Sequence, residues 1–334
     1  MKKVIIILVV ILVLALIAVP AYRYFIPMDV DDVTVDIPAE STSAEIGKIL
    51  TENQVIRGKL DFKLYLKFSG RGSALKNGSY TFDGAYTIDQ VVDRLEKGGD
   101  TVGTKVTIPE GYNMEQIISV LEEKGITTRE EFLDAAANGD YNYDYIGAKG
   151  DSLRVQGYLF PETYLFNKGI SARDVINTMI NQFDSVYNDE WRAYLAERGI
   201  SVKDWVTMAS IVEKEAVVQE DRPIIAGVFY NRLGQGMLLQ SCATVQYALG
   251  KVKPVLTNED VAIESPYNTY INQGLPPTPI ASPGKASLEA ALYPTDTDYL
   301  FFVAKPNGAH IFTKTYEEHL AAIEAIRRGD YDNE

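Results

Sequence analysis

Glu213 and Glu215, two positions apart in the segment Trp205–Ala216, are the acids whose setting best suits chemistry. Trp205, Met208, Ala209, Val212 and Ala216 recur at helical spacing, which predicts a helix with one apolar stripe. Residues two apart on a helix do not share a face, so the two glutamates fall on opposite flanks of that stripe. Glu215 lies one turn on from Ile211 and Val212. A carboxyl beside apolar neighbours is disfavoured as a charge and tends to hold its proton, which is what a general acid needs. The same spacing also suits two ordinary solvated glutamates, and spacing alone favours that reading, since a flanking glutamate is common and a catalytic one rare. Polar clusters follow at Asn231-Arg232, at Gln240-Ser241 and at Thr244 with Tyr247. Tyr267-Asn268-Thr269-Tyr270 then leads into a proline-rich stretch from Gly274 to Gly284. Tyrosine faces and amides on a stiff loop make a good sugar-binding wall. The alternative is a rigid surface loop whose prolines lower the entropy of the unfolded chain.

Composition narrows the chemistry. The chain has 334 residues with 46 acids and 32 bases, a formal charge of −14, which argues against a nucleic-acid partner because phosphates reward clustered Lys and Arg. One cysteine, Cys242, allows no disulfide within the chain, and two histidines, His310 and His319, allow no His-rich metal centre. A carboxylate-only metal site stays open, and the reaction is expected to run mainly on carboxylates, hydroxyls and amides.

The elements that must position these groups alternate irregularly, so the pattern predicts an α+β fold rather than a doubly wound sheet. Val33, Val35 and Ile37 alternate as a strand. Ser43 is placed to cap a helix through Leu50, and Phe62, Leu64 and Tyr65 mark another. Asn77-Gly78 turns into the strand Ser79–Phe82, and Ile88, Val91, Val92 and Leu95 form a helix ended by Gly98. A second small unit runs from the strand Thr104–Ile108 through Pro109-Glu110-Gly111 into a helix over Met114–Leu121. Thr127–Asp151 begins helical and turns polar and Tyr-rich, reading as variable surface. Helices are expected over about Ser171–Ala196, Val202–Val217 and Arg222–Arg232. Pro306-Asn307-Gly308 between two short strands signals a hairpin, and Tyr316–Arg328 a closing helix.

At the N-terminus, Val4–Val19 is unbroken apolar sequence and no charge follows Lys3 before Arg23. That length predicts a membrane-spanning helix, with Lys2 and Lys3 holding the start of the chain in the cytoplasm. A cleaved signal peptide has a shorter apolar core of ~7–15 residues, and Pro20 spoils the small-residue cleavage site around Ala18 to Ala21. Tyr22, Tyr24 and Phe25 would sit at the outer interface, placing the remainder of the chain and its substrate outside the cytoplasmic membrane.

Several motifs in order carry a resemblance. Gly157–Tyr164, Ala209-Ser210-Ile211-Val212-Glu213-Lys214-Glu215, Val228-Phe229-Tyr230-Asn231-Arg232-Leu233, Tyr267–Tyr270, Gly274-Leu275-Pro276-Pro277, Phe302-Val303-Ala304 and Gly308–Phe312 recur together, and by them the chain resembles the endolytic murein transglycosylases, the YceG-like family. The resemblance implies an anchor over residues 1–26, a linker and LysM-like domain over 27–100, a connecting α+β subdomain over 101–152 and a catalytic domain over 153–334. It implies cleavage of the MurNAc–GlcNAc bond within peptidoglycan strands, leaving 1,6-anhydroMurNAc ends and limiting strand length. The family's essential acid falls on Glu215, and the lytic mechanism it implies uses that one acid without metal or cofactor. Tyr158, Glu162, Asn231, Gln240, Thr244, Tyr267, Asn268 and Tyr270 are the expected saccharide contacts. Implied partners are peptidoglycan glycan strands, the cytoplasmic membrane and cell-wall synthases of the division or elongation machinery.

One departure stands out: where many relatives carry Asp-Pro after the Leu-Gln pair, this chain has Cys242-Ala243 after Ser241. A carboxylate is thereby missing near the expected cleft, and Cys242 reads as a small buried side chain rather than a nucleophile. The departure keeps open an inactive, membrane-anchored glycan-binding scaffold. A hydrolytic muramidase, pairing Glu215 with a second acid such as Glu162 or Glu213, is the other alternative.

Overall fold

The computed structural model describes residues 24–38, 41–99 and 103–331. The apolar run Val4–Val19, and Tyr22 with it, lies outside the described residues, and no described helix is long and apolar enough to cross a membrane. The fold is mixed α+β, with three two-stranded sheets among the described residues. The chain divides into two compact units with the boundary at Gly103.

In the first unit the strand Met28–Ile37 pairs antiparallel with Gly78–Tyr86, bulged between Val30 and Val33. Two helices, Ser43–Glu52 and Lys59–Ser69, lie between these strands in sequence, and Ile88–Lys97 follows. The first helix is capped one residue earlier than expected: the Thr42 hydroxyl accepts from the Glu45 backbone and Glu45 reaches back to Thr42 N, a reciprocal pair Ser43 cannot make. Val35, Leu50, Phe62, Tyr80, Phe82, Val91 and Leu95 close this core with almost no exposure.

The second unit is built around the helix Val202–Glu215. It is more deeply set than a single stripe requires: every residue from Trp205 to Val212 is buried. An all-round buried helix must satisfy its polar side chains internally. Trp205 Nε1 donates to Leu288 O at 2.9 Å, and Ser210 Oγ accepts from Ile280 N at 3.0 Å while donating to Thr207 O. These bonds lock the helix to the proline-rich loop and to the helix Lys285–Leu292 behind it. The Tyr-rich segment after the helix Arg129–Asn138 is packed, not loose surface. The Tyr145 ring lies 5.2 Å from Tyr158 and 5.5 Å from Phe183, joining an aromatic cluster that reaches Trp205 through Tyr187.

The long helix expected over Ser171–Ala196 is two, Ala172–Val186 and Asp189–Arg198, because Asn188 accepts from Trp191 N and caps a new start. Near the end, Phe301–Ala304 and His310–Thr313 form the expected antiparallel hairpin, and Tyr316–Arg328 closes the chain.

Candidate active site

Glu215 is the last residue of its helix and is half-exposed. Its surroundings are more polar than the stripe argument requires. The Ser241 hydroxyl donates to Glu215 Oε1 at 2.5 Å, and Ala243 N–H makes a longer contact to the same oxygen at 3.4 Å. Ser241 and Ala243 begin the helix Cys242–Leu249, where free N–H groups point outward and favour an acceptor. Oε2 has no hydrogen-bond partner among the described residues, so one oxygen is fixed and the other is free to meet a substrate.

The turn that delivers Ser241 is unusual. Gln240 adopts φ +51°, a left-handed conformation uncommon for a residue with a side chain. It is held by its own N–H to Thr269 O at 3.0 Å. Thr269 Oγ1 accepts from Ser241 N at 3.1 Å and lies 2.8 Å from Thr244 Oγ1. The segments 238–244 and 267–270 are thus knitted into one wall. Cys242 is exposed rather than buried, with Sγ 3.2 Å from Tyr270 Oη. Burial, that thiol and the Glu215 charge all push the Tyr270 phenol up, keeping it a donor.

Of the expected saccharide contacts, Gln240 and Tyr270 stand beside Glu215 on this wall, with the Gln240 side chain exposed. Tyr267 backs the wall, its hydroxyl 2.9 Å from Thr278 Oγ1 and its ring 4.7 Å from Tyr247. The others are engaged by the protein, buried, or placed without a contact to Glu215 among the described residues. Asn268 is fully buried and donates to Val261 O and Ile263 O. Thr244 is fully buried and donates to Ser241 O. Asn231 donates to Thr297 O and Tyr299 O, tethering the approach to the hairpin. Tyr158 is 3% exposed inside the aromatic cluster, with a hydroxyl that finds no partner. Glu162 is exposed and its carboxylate accepts from Thr163 N at 2.8 Å.

Glu213, the other flank, is a buried strut. Its side chain is 7% exposed, accepts from Gly284 N at 3.1 Å and lies 3.9 Å from the Arg222 guanidinium. Arg222 also donates to Ser287 Oγ. Behind the site, Asp221 Oδ2 takes both His310 N at 2.8 Å and His310 Nδ1 at 2.9 Å. That pair pins the hairpin to the segment leaving Glu215. Arg232 is buried and donates to Leu239 O and Leu300 O, tying the approach to Gln240 to the same hairpin. Asp221 had no prominence in the sequence, and Ser241, Thr269 and His310 stood out only as members of polar runs and motifs, with no role assigned to them. The signal available was the polar run Gln240-Ser241 at a helix start, and the two histidines among so many acids.

With that geometry in hand, comparison with known proteins is specific. Residues 35–325 match the model of the YceG-like family. A protein of Bacillus subtilis (strain 168) named endolytic murein transglycosylase is 38% identical over 310 residues, 87% of this chain and 84% of that protein. One of the same name from Streptococcus pneumoniae serotype 2 is 33% identical over 333 residues, 89% of this chain and 60% of that longer protein. A crystal structure of a YceG-like protein of Listeria monocytogenes superposes with TM-score 0.58 at 35% identity, covering 87% of this chain and 99% of that one.

Proposed function

This chain belongs to the YceG-like family, and on that premise we propose that it is an endolytic murein transglycosylase, a lyase acting on peptidoglycan, with Glu215 as its single acid–base group. The observation that carries the assignment to Glu215 is its half-held carboxyl: Oε1 is fixed by Ser241 and Ala243 while Oε2 is open. From Oε2 the proton passes to the oxygen bridging MurNAc and GlcNAc as the C1–O bond breaks with oxocarbenium character. The charge left on Glu215 falls on a group already facing two donors, which lowers the barrier to reaching it. The carboxylate then takes the proton of the C6 hydroxyl on the same MurNAc, and O6 closes on C1 to give the 1,6-anhydro end. Atoms balance without water.

A hydrolase would need a second acid to activate water. Glu213 is unsuited because its carboxylate is buried against Gly284 and Arg222, and Glu162 is not joined to Glu215 by any contact among the described residues. The scaffold reading drew on the missing Asp-Pro. Ala243, in the position of that proline, has a backbone N–H where proline has none, and it is this N–H that faces Glu215.

The remaining parts of the reading follow from sequence and family. Val4–Val19 anchors the chain in the cytoplasmic membrane with the catalytic unit outside. The strand–helix–helix–strand order of residues 28–86 is compatible with a LysM-like glycan-binding module. Cell-wall synthases of division or elongation are the expected neighbours. Digestion of purified murein by the protein and by Glu215→Gln, read by mass spectrometry, tests the function. Anhydro ends released by the wild type alone are expected. Products heavier by one water, or an active Glu215→Gln, would overturn it.

A further inference from the structure

Next to Glu215 a groove of about 280 Å³ opens between the helices Met114–Glu123 and Cys242–Leu249. It shares two residues with the site: Lys214, the immediate neighbour of Glu215, and Ala243, whose N–H faces Glu215 Oε1. Its lining mixes polar and apolar surface in similar measure, with Asn113, Gln116 and Gln246 contributing amides. Two lysines, Lys214 and Lys251, are among the residues that line it. Lys214 Nζ donates to Gly111 O at 3.2 Å, and neither lysine pairs with a carboxylate among the described residues. The acid in the lining, Glu115, is already ion-paired with Arg129. In a chain with a net charge of −14, two lysines without an ion-pair partner among the described residues thus line the groove beside the acid, where they attract an anionic group.

We propose that this groove is the subsite for the carboxylate-bearing peptide stem of the MurNAc at the scissile bond. The proposal rests on the reading of Glu215 as the acid. MurNAc carries its peptide through a lactyl ether on the same ring whose C1 reacts, so the stem must leave the sugar within a few ångströms of the acid. A short peptide brings amides, which amide side chains can pair, and free carboxylates, which ammonium groups hold by charge-assisted hydrogen bonds. The size falls just short of the roughly 300 Å³ at which small-ligand pockets begin, so the groove takes the first part of a stem rather than a cross-linked bridge.

The test compares the full chain on two substrates of equal sugar concentration: glycan strands with intact stems, and the same strands stripped of stems by an amidase. The wild type is expected to cleave stem-bearing strands at least tenfold faster, with a preference that weakens as salt rises. Lys251→Glu should bring the two rates together by raising KM for stem-bearing strands, leaving the rate on stripped strands and the Tm unchanged. Lys251→Arg should keep the preference. Equal wild-type rates on both substrates, or a Lys251→Glu variant slowed alike on both, would overturn the subsite. Failure of the functional reading looks different: neither substrate is cleaved, or Glu215→Gln cleaves as well as the wild type, and the subsite falls with it.

Discussion

Glu215 caps the helix that Ser241 begins. Ser241 occupies the N-cap of Cys242–Leu249, yet its hydroxyl makes no capping bond to its own helix and donates instead to Glu215 Oε1, which in turn faces Ala243 N–H. The candidate acid and the wall of the cleft are therefore one hydrogen-bonded unit. Ser241→Ala is expected to lower kcat about 10- to 100-fold, the loss of one donor to a group that becomes charged, with KM little changed. Ser241→Thr, which keeps the hydroxyl, should restore most of it. Steady-state kinetics on murein would show this, and an unimpaired Ser241→Ala would remove Ser241 from the site.

The same relationship separates two replacements of Glu215. Gln keeps an acceptor for Ser241 and Ala243, so Glu215→Gln should lose activity and hold its Tm. Glu215→Ala removes the cap as well, and should lose about 1 kcal/mol of stability in addition to activity. Denaturant titration of both variants checks the split. Equal stability of the two would mean that Glu215 contributes nothing to that helix.

Asp221 and His310 predict a structural effect. His310 Nδ1 and N both approach Asp221 Oδ2, and the side chains of His310 and Asp221 are 3% and 13% exposed. His310→Ala leaves a largely buried carboxylate short of one partner and should destabilise the second unit by about 2–3 kcal/mol. His310→Asn, able to donate at a similar position, should recover part of this. Urea unfolding is the measurement, and a change under about 0.5 kcal/mol for His310→Ala would contradict the strut role.

Local patterns were legible where one segment decides its own structure. The hairpin around Pro306-Asn307-Gly308 and the helix Tyr316–Arg328 fall where turn chemistry and periodicity place them. What the sequence did not disclose was anything made by residues distant along it. Ser241 lies 26 residues from Glu215, and Asp221 lies 89 from His310, so no spacing rule links them. Amides and tyrosines also read ambiguously: Asn268 and Gln240 are both amides in polar runs, yet one holds two buried carbonyls and the other is exposed on the wall. The Tyr-rich segment read as surface because its polar residues dominate, whereas its alternate tyrosines supply the packing.

Tyr158 illustrates that ambiguity with a measurable outcome. It lies in the aromatic cluster, and its buried hydroxyl has no partner. Removing an unsatisfied buried polar group relieves its desolvation, so Tyr158→Phe should raise stability by about 1 kcal/mol and leave murein cleavage unchanged. A tenfold loss of activity would return Tyr158 to the cleft.

Gly157, one residue before, shows how the cluster meets the proline-rich loop. Its φ is +87°, and a Cβ there would lie 2.5 Å from Pro279 Cβ. Gln156 beside it donates to Pro279 O and to Tyr247 Oη, so the approach cannot relax without breaking buried bonds. Gly157→Ala should therefore lose more than about 2 kcal/mol, from backbone strain and overlap together. Circular dichroism melts would detect it, and a neutral effect would show the loop to be free to move.

Glu110 gives the pH-dependent case. Its carboxyl lies against Gly284, where a Cβ would overlap it, and Gly284 N is the donor to Glu213. Burial first and the Glu213 charge second push the Glu110 carboxyl up, with Arg222 opposing. A carboxyl raised in the folded state binds its proton more tightly there than when unfolded. Its contribution is fully present below the ordinary glutamate value of about 4.3 and is lost as pH rises through the folded value. Glu110→Gln removes that loss, so the variant should be more stable than the wild type at pH 7, by less than about 1 kcal/mol because solvent still reaches the group. Below about pH 4, where the wild-type carboxyl is protonated in both states, the two should converge. Paired melts at pH 4 and pH 7 decide it: a difference that is constant across the two, or reversed in sign, would mean that the Glu110 carboxyl is not raised in the folded state.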